Sequence, residues 1–174
     1  MTMSFAPGMN VFPGGGVSED DLASADPLLA CAIRETKEEV DIAVPVCHLF
    51  DRWVTPEVED QRFDVSFFVA NTEEVGRLTT TEAVAMRWID PAEALDGHRD
   101  GLLSMLRPTV LILEALASGR VDGQPTAPPV PKLPRRRLDG RWDVVHAETN
   151  DVLVSGVAGP DRAESDGSPM ASES

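Results

Sequence analysis

An α+β domain, with a mixed or antiparallel sheet flanked by helices and a largely disordered C-terminal tail, is the fold class this sequence predicts. Three observations carry it. Strand-like and helix-like apolar segments mix without strict βαβ alternation, and the linkers between strands are too short for parallel crossovers. Hydrophobic residues make up 42% of the 174 residues, enough for a core in one ordinary domain. Near Gly119 the composition then changes to proline-rich and finally Ser/Asp/Glu/Gly-rich sequence.

In chain order, Met9–Phe12 is a short strand candidate running into Pro13-Gly14-Gly15-Gly16. Asp26-Pro27 opens a helix, because Asp suits the N-cap and Pro the first helical position. Leu28, Leu29, Ala32, Ile33 and Thr36 are expected on its buried side, up to about Val40. Val46–Val54 and Asp64–Ala70 read as strands joined by a polar loop, and Ala83–Ile89 as a third. Pro91–Leu95 is a short helical turn, and Pro108–Ser118 a helix begun by proline and stopped by Gly119. Residues 1–118 thus form the expected domain. Within 119–174, a Pro-rich linker carries the basic cluster Arg135–Arg137, expected to be solvated. The run 141–156 alternates about Thr149-Asn150-Asp151 as a hairpin would, and must dock on the main body, since a lone hairpin is marginal in water. The last fifteen or so residues have almost nothing to bury.

Thirty Asp+Glu against 15 Lys+Arg give a formal charge of -15 and a pI near 4.4. Bulk electrostatics therefore oppose nucleic acid and anionic membranes as partners, and an anionic ligand needs a divalent metal or a few placed arginines. Aromatics are only 5% and tyrosine is absent, which argues against a base-stacking nucleic-acid surface. Cys31 and Cys47 form no disulfide framework and lack metal-ligand spacing. The start MTMSFAPGMN shows no signal peptide, and no apolar run approaches a membrane span. A cytoplasmic protein with reduced thiols is the expectation. Trp53, Phe63, Phe67, Phe68 and Trp88 sit in strand patterns and are expected in the core. His48 and His98 have no ligand partners in spacing.

The informative run is Arg34-Glu35-Thr36-Lys37-Glu38-Glu39-Val40. On a helix, Glu35 lies three and four residues from Glu38 and Glu39, so three mutually repelling carboxylates crowd one face. Arg34 reaches Glu38 one turn on, and Lys37 lies off that face. Two readings stand at this point: a solvated acidic face, or a set of hard oxygen ligands of the type Mg²⁺ and Mn²⁺ select. The Gly-rich turn just upstream favours the second, because glycine lets backbone groups approach a ligand closely.

The combination resembles the Nudix hydrolases, whose signature runs from a Gly through an acidic residue to Arg-Glu-U-x-Glu-Glu-x-Gly-U, with U apolar. Gly15, Asp26, Arg34, Glu35, Glu38, Glu39 and Ile42 stand at the matching positions. Asp26 replaces Glu, Asp41 stands at the final Gly, and the Gly15–Asp26 spacing is five residues longer than the minimal signature. The similarity extends to the acyl-coenzyme A diphosphatase-like branch through Gly8…Phe12-Pro13-Gly14-Gly15, Ala32-Ile33-Arg34-Glu35-Thr36, Trp53-Val54-Thr55-Pro56-Glu57, Arg62-Phe63-Asp64 and Thr80-Thr81-Glu82…Arg87-Trp88. It covers roughly residues 5–118.

The resemblance implies a Nudix-like mixed sheet and metal-dependent hydrolysis of a nucleoside diphosphate linked to another moiety. Coenzyme A or an acyl-coenzyme A leads. ADP-ribose or a dinucleotide is the alternative substrate, and a non-catalytic Nudix-like binding module the alternative class. It further implies Glu35, Glu38 and Glu39 as ligands of Mg²⁺ or Mn²⁺ with the Gly15 carbonyl, and Arg34 orienting the carboxylates. Glu35 is a candidate base, Glu82 a further metal ligand or base, and Gly14, Gly15 and Arg62 are candidate substrate contacts. The family has a strand upstream of Gly8, where seven residues remain, so either the true start lies further upstream or the domain lacks that strand. Asp41 is expected in a left-handed conformation, which Asp tolerates at some cost.

Overall fold

A computed structural model describes residues 8–55, 63–119, 131–136, 142–146, 148 and 152–157. Its elements are α1 (Pro27–Val40), β1 (His48–Val54), β2 (Asp64–Val69), α2 (Pro91–Arg99), α3 (Arg107–Ala117), β3 (Lys132–Arg136), β4 (Trp142–His146) and β5 (Val152–Val157), with a short 3-10 turn at Asp21–Ala23. Five strands form one sheet in the order β2-β1-β3-β4-β5. The β1–β2, β3–β4 and β4–β5 pairs are antiparallel and β1–β3 is parallel, so the sheet is mixed and the fold α+β. The expected C-terminal disorder falls on residues outside the described ones.

The ends of α1 follow from their residues. Asp26 takes an extended conformation and its side chain accepts a hydrogen bond from Leu29 N at 3.1 Å, with Pro27 in the first turn. At the other end Asp41 is left-handed, φ 54° and ψ 35°. Two cations offset that strain and the unfavourable placing of a carboxylate at a helix C-terminus: Lys37 Nζ lies 2.5 Å from Oδ1 and Arg77 Nε 2.8 Å from Oδ2. They hold the Asp41 carboxyl below its ordinary value, Lys37 foremost. The buried side of α1 differs from the expected one. Cys31 and Val40 are buried, whereas Leu28 is exposed and Leu29, Ala32, Ile33 and Thr36 are half-buried.

α2 and α3 pack together through Ala94, Met105, Val110 and Leu113, with Ile89, Leu95, Leu103 and Leu116 around them. α2 runs a full turn past the expected Leu95, because Gly97 lets Leu103 close over it; a Cβ there would stand 3.1 Å from Leu103 Cδ1. His98 Nδ1 pairs with the Leu103 carbonyl at 2.8 Å, a structural role. In the sheet, Val144 and Val145 are the most completely buried side chains. Successive strand residues face opposite sides, so β4 is covered on both faces. Lys132 at the start of β3 pairs with the half-buried Asp51 carboxylate of β1 and lies 5.7 Å from the Trp53 ring centre. Trp53 Nε1 donates to the same carboxylate at 3.0 Å.

Two expected strands are absent. Met9–Phe12 is irregular, and Asn10 ties it to the α2–α3 connection by donating from N to the Ser104 carbonyl at 2.7 Å. Ala83–Ile89 has strand-like alternation but pairs with no strand among the described residues; it lies beside Val75–Leu78, with Trp88 Nε1 donating to Val75 O at 2.7 Å. Trp88 is 60% exposed, contrary to the core placement expected for it.

Gly76 fastens that region to α1. Its φ is +68°, and an added Cβ would stand 2.6 Å from Ile42 Cγ1 and 2.7 Å from the Val40 carbonyl oxygen. Backbone cannot yield as a flexible side chain can, so Gly76→Ala is expected to cost about 2–4 kcal/mol from the combined strain and overpacking. The corresponding fall in Tm, about 5–15 °C, is read by thermal unfolding.

Candidate functional site

Arg34 is the hub of the site. Its Nη1 donates to Glu35 Oε1 at 2.9 Å and to Glu38 Oε2 at 3.1 Å. Its Nη2 donates to the Gly16 carbonyl at 3.0 Å and to Asp21 Oδ2 at 2.7 Å, with Nε also on Asp21. One planar guanidinium thus joins two carboxylates of α1 to the Gly-rich loop and to the turn after it. The helix dictates the first part, since Glu35 is adjacent and Glu38 is one turn on. The rest comes from the loop folding back.

Asp21 is the partner that sequence reasoning missed. It is 4% exposed, and its carboxylate also accepts from Ser18 N at 2.8 Å. The Arg34 guanidinium, then the Ser18 N–H, holds its carboxyl well below the usual carboxylate range. The only sequence signal is an acid in the enlarged loop, which three neighbours of like type, Glu19, Asp20 and Asp26, make indistinct. Asp26, at the signature's acidic position, instead caps α1. Asp21→Asn removes the charge that fixes Arg34, and an outer partner of this type is worth about 10- to 100-fold in activity. The pH dependence has a defined sign. A carboxyl depressed on folding contributes stability above its unfolded value of 3.8 and loses it as pH falls further. Thermal unfolding at pH 5, 4 and 3 is therefore expected to show a steeper loss in wild type than in Asp21→Asn.

The glycines act by space and by backbone donors. Gly14 N donates to Glu39 Oε2 at 3.1 Å, which joins the loop to the third carboxylate of α1. At Gly15 an added Cβ would stand 2.2 Å from Glu35 Oε1. Neither Gly14 nor Gly15 has positive φ, so close approach, not left-handed backbone, is what this turn takes from them. Cys31 Sγ lies 3.7 Å from the Gly15 carbonyl, and burial pushes its thiol up, away from activation.

Glu39 is the meeting point of the negative charge. Its carboxyl is pushed up, first by burial and then by the fields of Glu35, Glu82 and Glu38, with the Gly14 N–H partly opposing. Glu82 is therefore near enough to act on Glu39, although it stands on a separate loop whose turn is set by Glu82 N donating to Thr80 Oγ1 at 3.1 Å. Thr79 fixes that loop to α1: its N donates to Glu39 O at 2.9 Å and its hydroxyl to Glu38 O. The structure thus brings Arg34, Glu35, Glu38, Glu39, Glu82, Gly14 and Gly15 together. Arg62, Pro56 and Glu57 lie outside the described residues.

Among the described residues, no group of three or more His, Cys, Asp or Glu side chains is placed ready to hold a metal ion. Glu35 and Glu38 lie against Arg34, and Glu39 against Gly14 N. The donor set nonetheless fits a hard divalent cation: three carboxylates on one helix, one of them 59% exposed at its side chain, beside a glycine carbonyl. Mutual repulsion, with Arg34 the one guanidinium paired to them among the described residues, leaves net negative charge for a cation to balance.

An α+β fold whose Gly-rich loop is clasped to a carboxylate-bearing helix defines a class of hydrolase built around an acidic helix. The NUDIX domain family model matches residues 3–107, and the chain belongs to that family. It is accordingly a hydrolase of phosphorus-containing acid anhydrides, a pyrophosphatase of small nucleoside diphosphate derivatives, in a family that generally requires divalent cations. No curated protein and no solved structure matches the chain. No helix among the described residues is long and apolar enough to cross a membrane.

Proposed function

We propose that the chain hydrolyses the diphosphate of coenzyme A or an acyl-coenzyme A, with Mg²⁺ or Mn²⁺, yielding adenosine 3′,5′-bisphosphate and a phosphopantetheine product. The observation that carries hydrolysis is the clasp between the Gly-rich turn and the acidic helix: Gly14 N on Glu39, and Arg34 on Glu35, Glu38 and the Gly16 carbonyl. The pattern from Gly8 to Trp88 described above supports coenzyme A. With a formal charge of -15 the protein repels a diphosphate at this acidic helix, and a divalent cation offsets that repulsion.

Glu35, Glu38 and Glu39, with the Gly15 carbonyl, would hold the cation, which when bound neutralises the diphosphate and lowers the pKa of a bound water. Arg34 keeps Glu35 and Glu38 oriented. Glu35, or Glu82 from the facing loop, takes the proton as the water oxygen bonds to phosphorus and the bridging P–O bond breaks. The leaving oxygen departs on a phosphate monoester; Gly14 leaves room for the substrate to approach, and Gly15 for the Glu35 carboxylate.

The test is release of adenosine 3′,5′-bisphosphate from coenzyme A and from an acyl-coenzyme A, with Mg²⁺ or Mn²⁺, beside ADP-ribose as competitor. Metal-dependent release from the coenzyme A substrates at a kcat/KM above that for ADP-ribose is expected. Full activity on ADP-ribose with none on coenzyme A would overturn the substrate assignment. Folded protein inert on every diphosphate would leave a binding module.

A further inference from the structure

The loop that carries Glu82 has a second feature that catalysis does not use. Val75–Leu78 and Ala85–Trp88 run side by side and enclose an open groove of about 400 Å³. Its lining holds two arginines, Arg77 and Arg87, and no acidic side chain, in a protein of charge -15. Arg77 uses its Nε on Asp41, whereas Arg87 makes no ion pair or hydrogen bond among the described residues. Trp88 is 60% exposed and Val75 75%. The indole is nonetheless fixed, because its Nε1 donates to Val75 O, and its ring stacks on no other aromatic among the described residues. A fixed, open indole face beside an uncommitted guanidinium is a pairing that suits a flat, π-bearing anion.

One side of the groove is bonded to the helix that carries the carboxylates. Arg77 N donates to the Val40 carbonyl at 2.8 Å, and Thr79, two residues on, donates to Glu39 O. The Val75–Leu78 wall is therefore pinned at the C-terminal end of α1, on the segment that leads on to Glu82. A ligand whose diphosphate lies at Glu35, Glu38 and Glu39 can extend along this wall.

We infer that this groove seats the nucleotide end of the substrate, with the purine base stacked on Trp88 and a phosphate of the same nucleotide met by Arg87. This rests on the diphosphate hydrolase reading and adds the subsite that recognises the nucleoside. Charge complementarity commits the groove to an anionic occupant: Arg77 already has Asp41, whereas an apolar strand from a second copy would cover Arg87 without giving it an acidic partner.

Two probes separate the parts, adenosine 5′-diphosphate and inorganic diphosphate, each titrated by calorimetry into the full chain without divalent ions so that no turnover occurs. Trp88→Ala is expected to raise the Kd for adenosine 5′-diphosphate about tenfold or more and to leave that for inorganic diphosphate unchanged. Trp88→Phe should restore most of the loss. Arg87→Gln, at an exposed position, should weaken both probes by about fivefold and flatten the salt dependence. Wild-type affinity in both Trp88→Ala and Arg87→Gln would overturn the inference, as would wild type that binds neither probe. So would a concentration-dependent dimer that Trp88→Ala dissociates while binding is unchanged. Turnover read in parallel keeps the two readings apart. Hydrolysis whose KM ignores Trp88 and Arg87 sinks the groove alone, whereas Trp88-dependent binding in a chain inert on every diphosphate sinks the hydrolase reading alone.

Discussion

Replacing Glu39 with Gln is expected to lower the turnover number for diphosphate hydrolysis by about 10²–10⁴-fold while leaving the Tm unchanged or raised. The two halves of that result share one cause. The Glu39 carboxylate is partly desolvated and faces Glu35, Glu82 and Glu38, so its charge works against the folded state and is kept for what it binds. Gln is isosteric and retains an acceptor for Gly14 N, so the clasp between loop and helix survives. What it loses is the negative charge of a proposed metal ligand. A variant that merely damaged the fold would lose activity and Tm together. Steady-state kinetics with Mg²⁺ or Mn²⁺ and a thermal melt on the same preparation check both. Undiminished turnover would remove Glu39 from the ligand set.

The helix that carries the three carboxylates was legible because its signals are local. Asp26-Pro27 at the start, the carboxylates at three- and four-residue spacing, and Asp41 at the left-handed end each concern groups within a turn of one another. The glycine turn was read in part. Its proximity to the helix was expected, but Gly15 is needed for clearance of Glu35 and not for positive φ, a distinction that depends on a residue twenty positions away. Asp21 was hidden for the same reason: nothing local says which acid of a crowded loop will fold back onto Arg34.

β3 shows how local signals mislead. Lys132–Arg136 contains Pro134 amid basic residues, which demotes a strand, and the sequence predicts a solvated linker there. It forms a strand because β4 pairs along its whole length, whereas β1 meets it at one register position, Trp53 opposite Lys132. The rest of that edge has no ladder partner among the described residues, and such an edge accepts a residue without an N–H. Trp88 errs in the opposite direction. Val84, Met86 and Trp88 alternate as a core strand should, yet no strand among the described residues pairs with the segment, and Val84 and Trp88 stand exposed. Alternation reports that one face wants cover; it does not say what covers it.

Gly15→Ala is the sharper test of how the loop serves the chemistry. The methyl group would stand 2.2 Å from Glu35 Oε1 and 2.5 Å from its Cδ, and no backbone atom is among its nearest neighbours. The clash is therefore relieved by swinging the end of a flexible side chain, which costs the fold little. It costs the site much more, because Glu35 must leave Arg34 Nη1, which holds its carboxylate in place. A displacement on the order of 1 Å in a catalytic group is worth about 10²-fold in rate, so kcat is expected to fall by about that factor with a Tm within a few degrees of wild type. Gly14→Ala is the internal control, since a Cβ at Gly14 meets nothing within 4 Å and its N–H to Glu39 is retained. Near-normal kcat in Gly14→Ala beside a hundredfold loss in Gly15→Ala would locate the requirement at the Glu35 carboxylate. Equal losses in the two variants would assign it to the loop backbone instead, and equal activities would mean that Glu35 works from another rotamer.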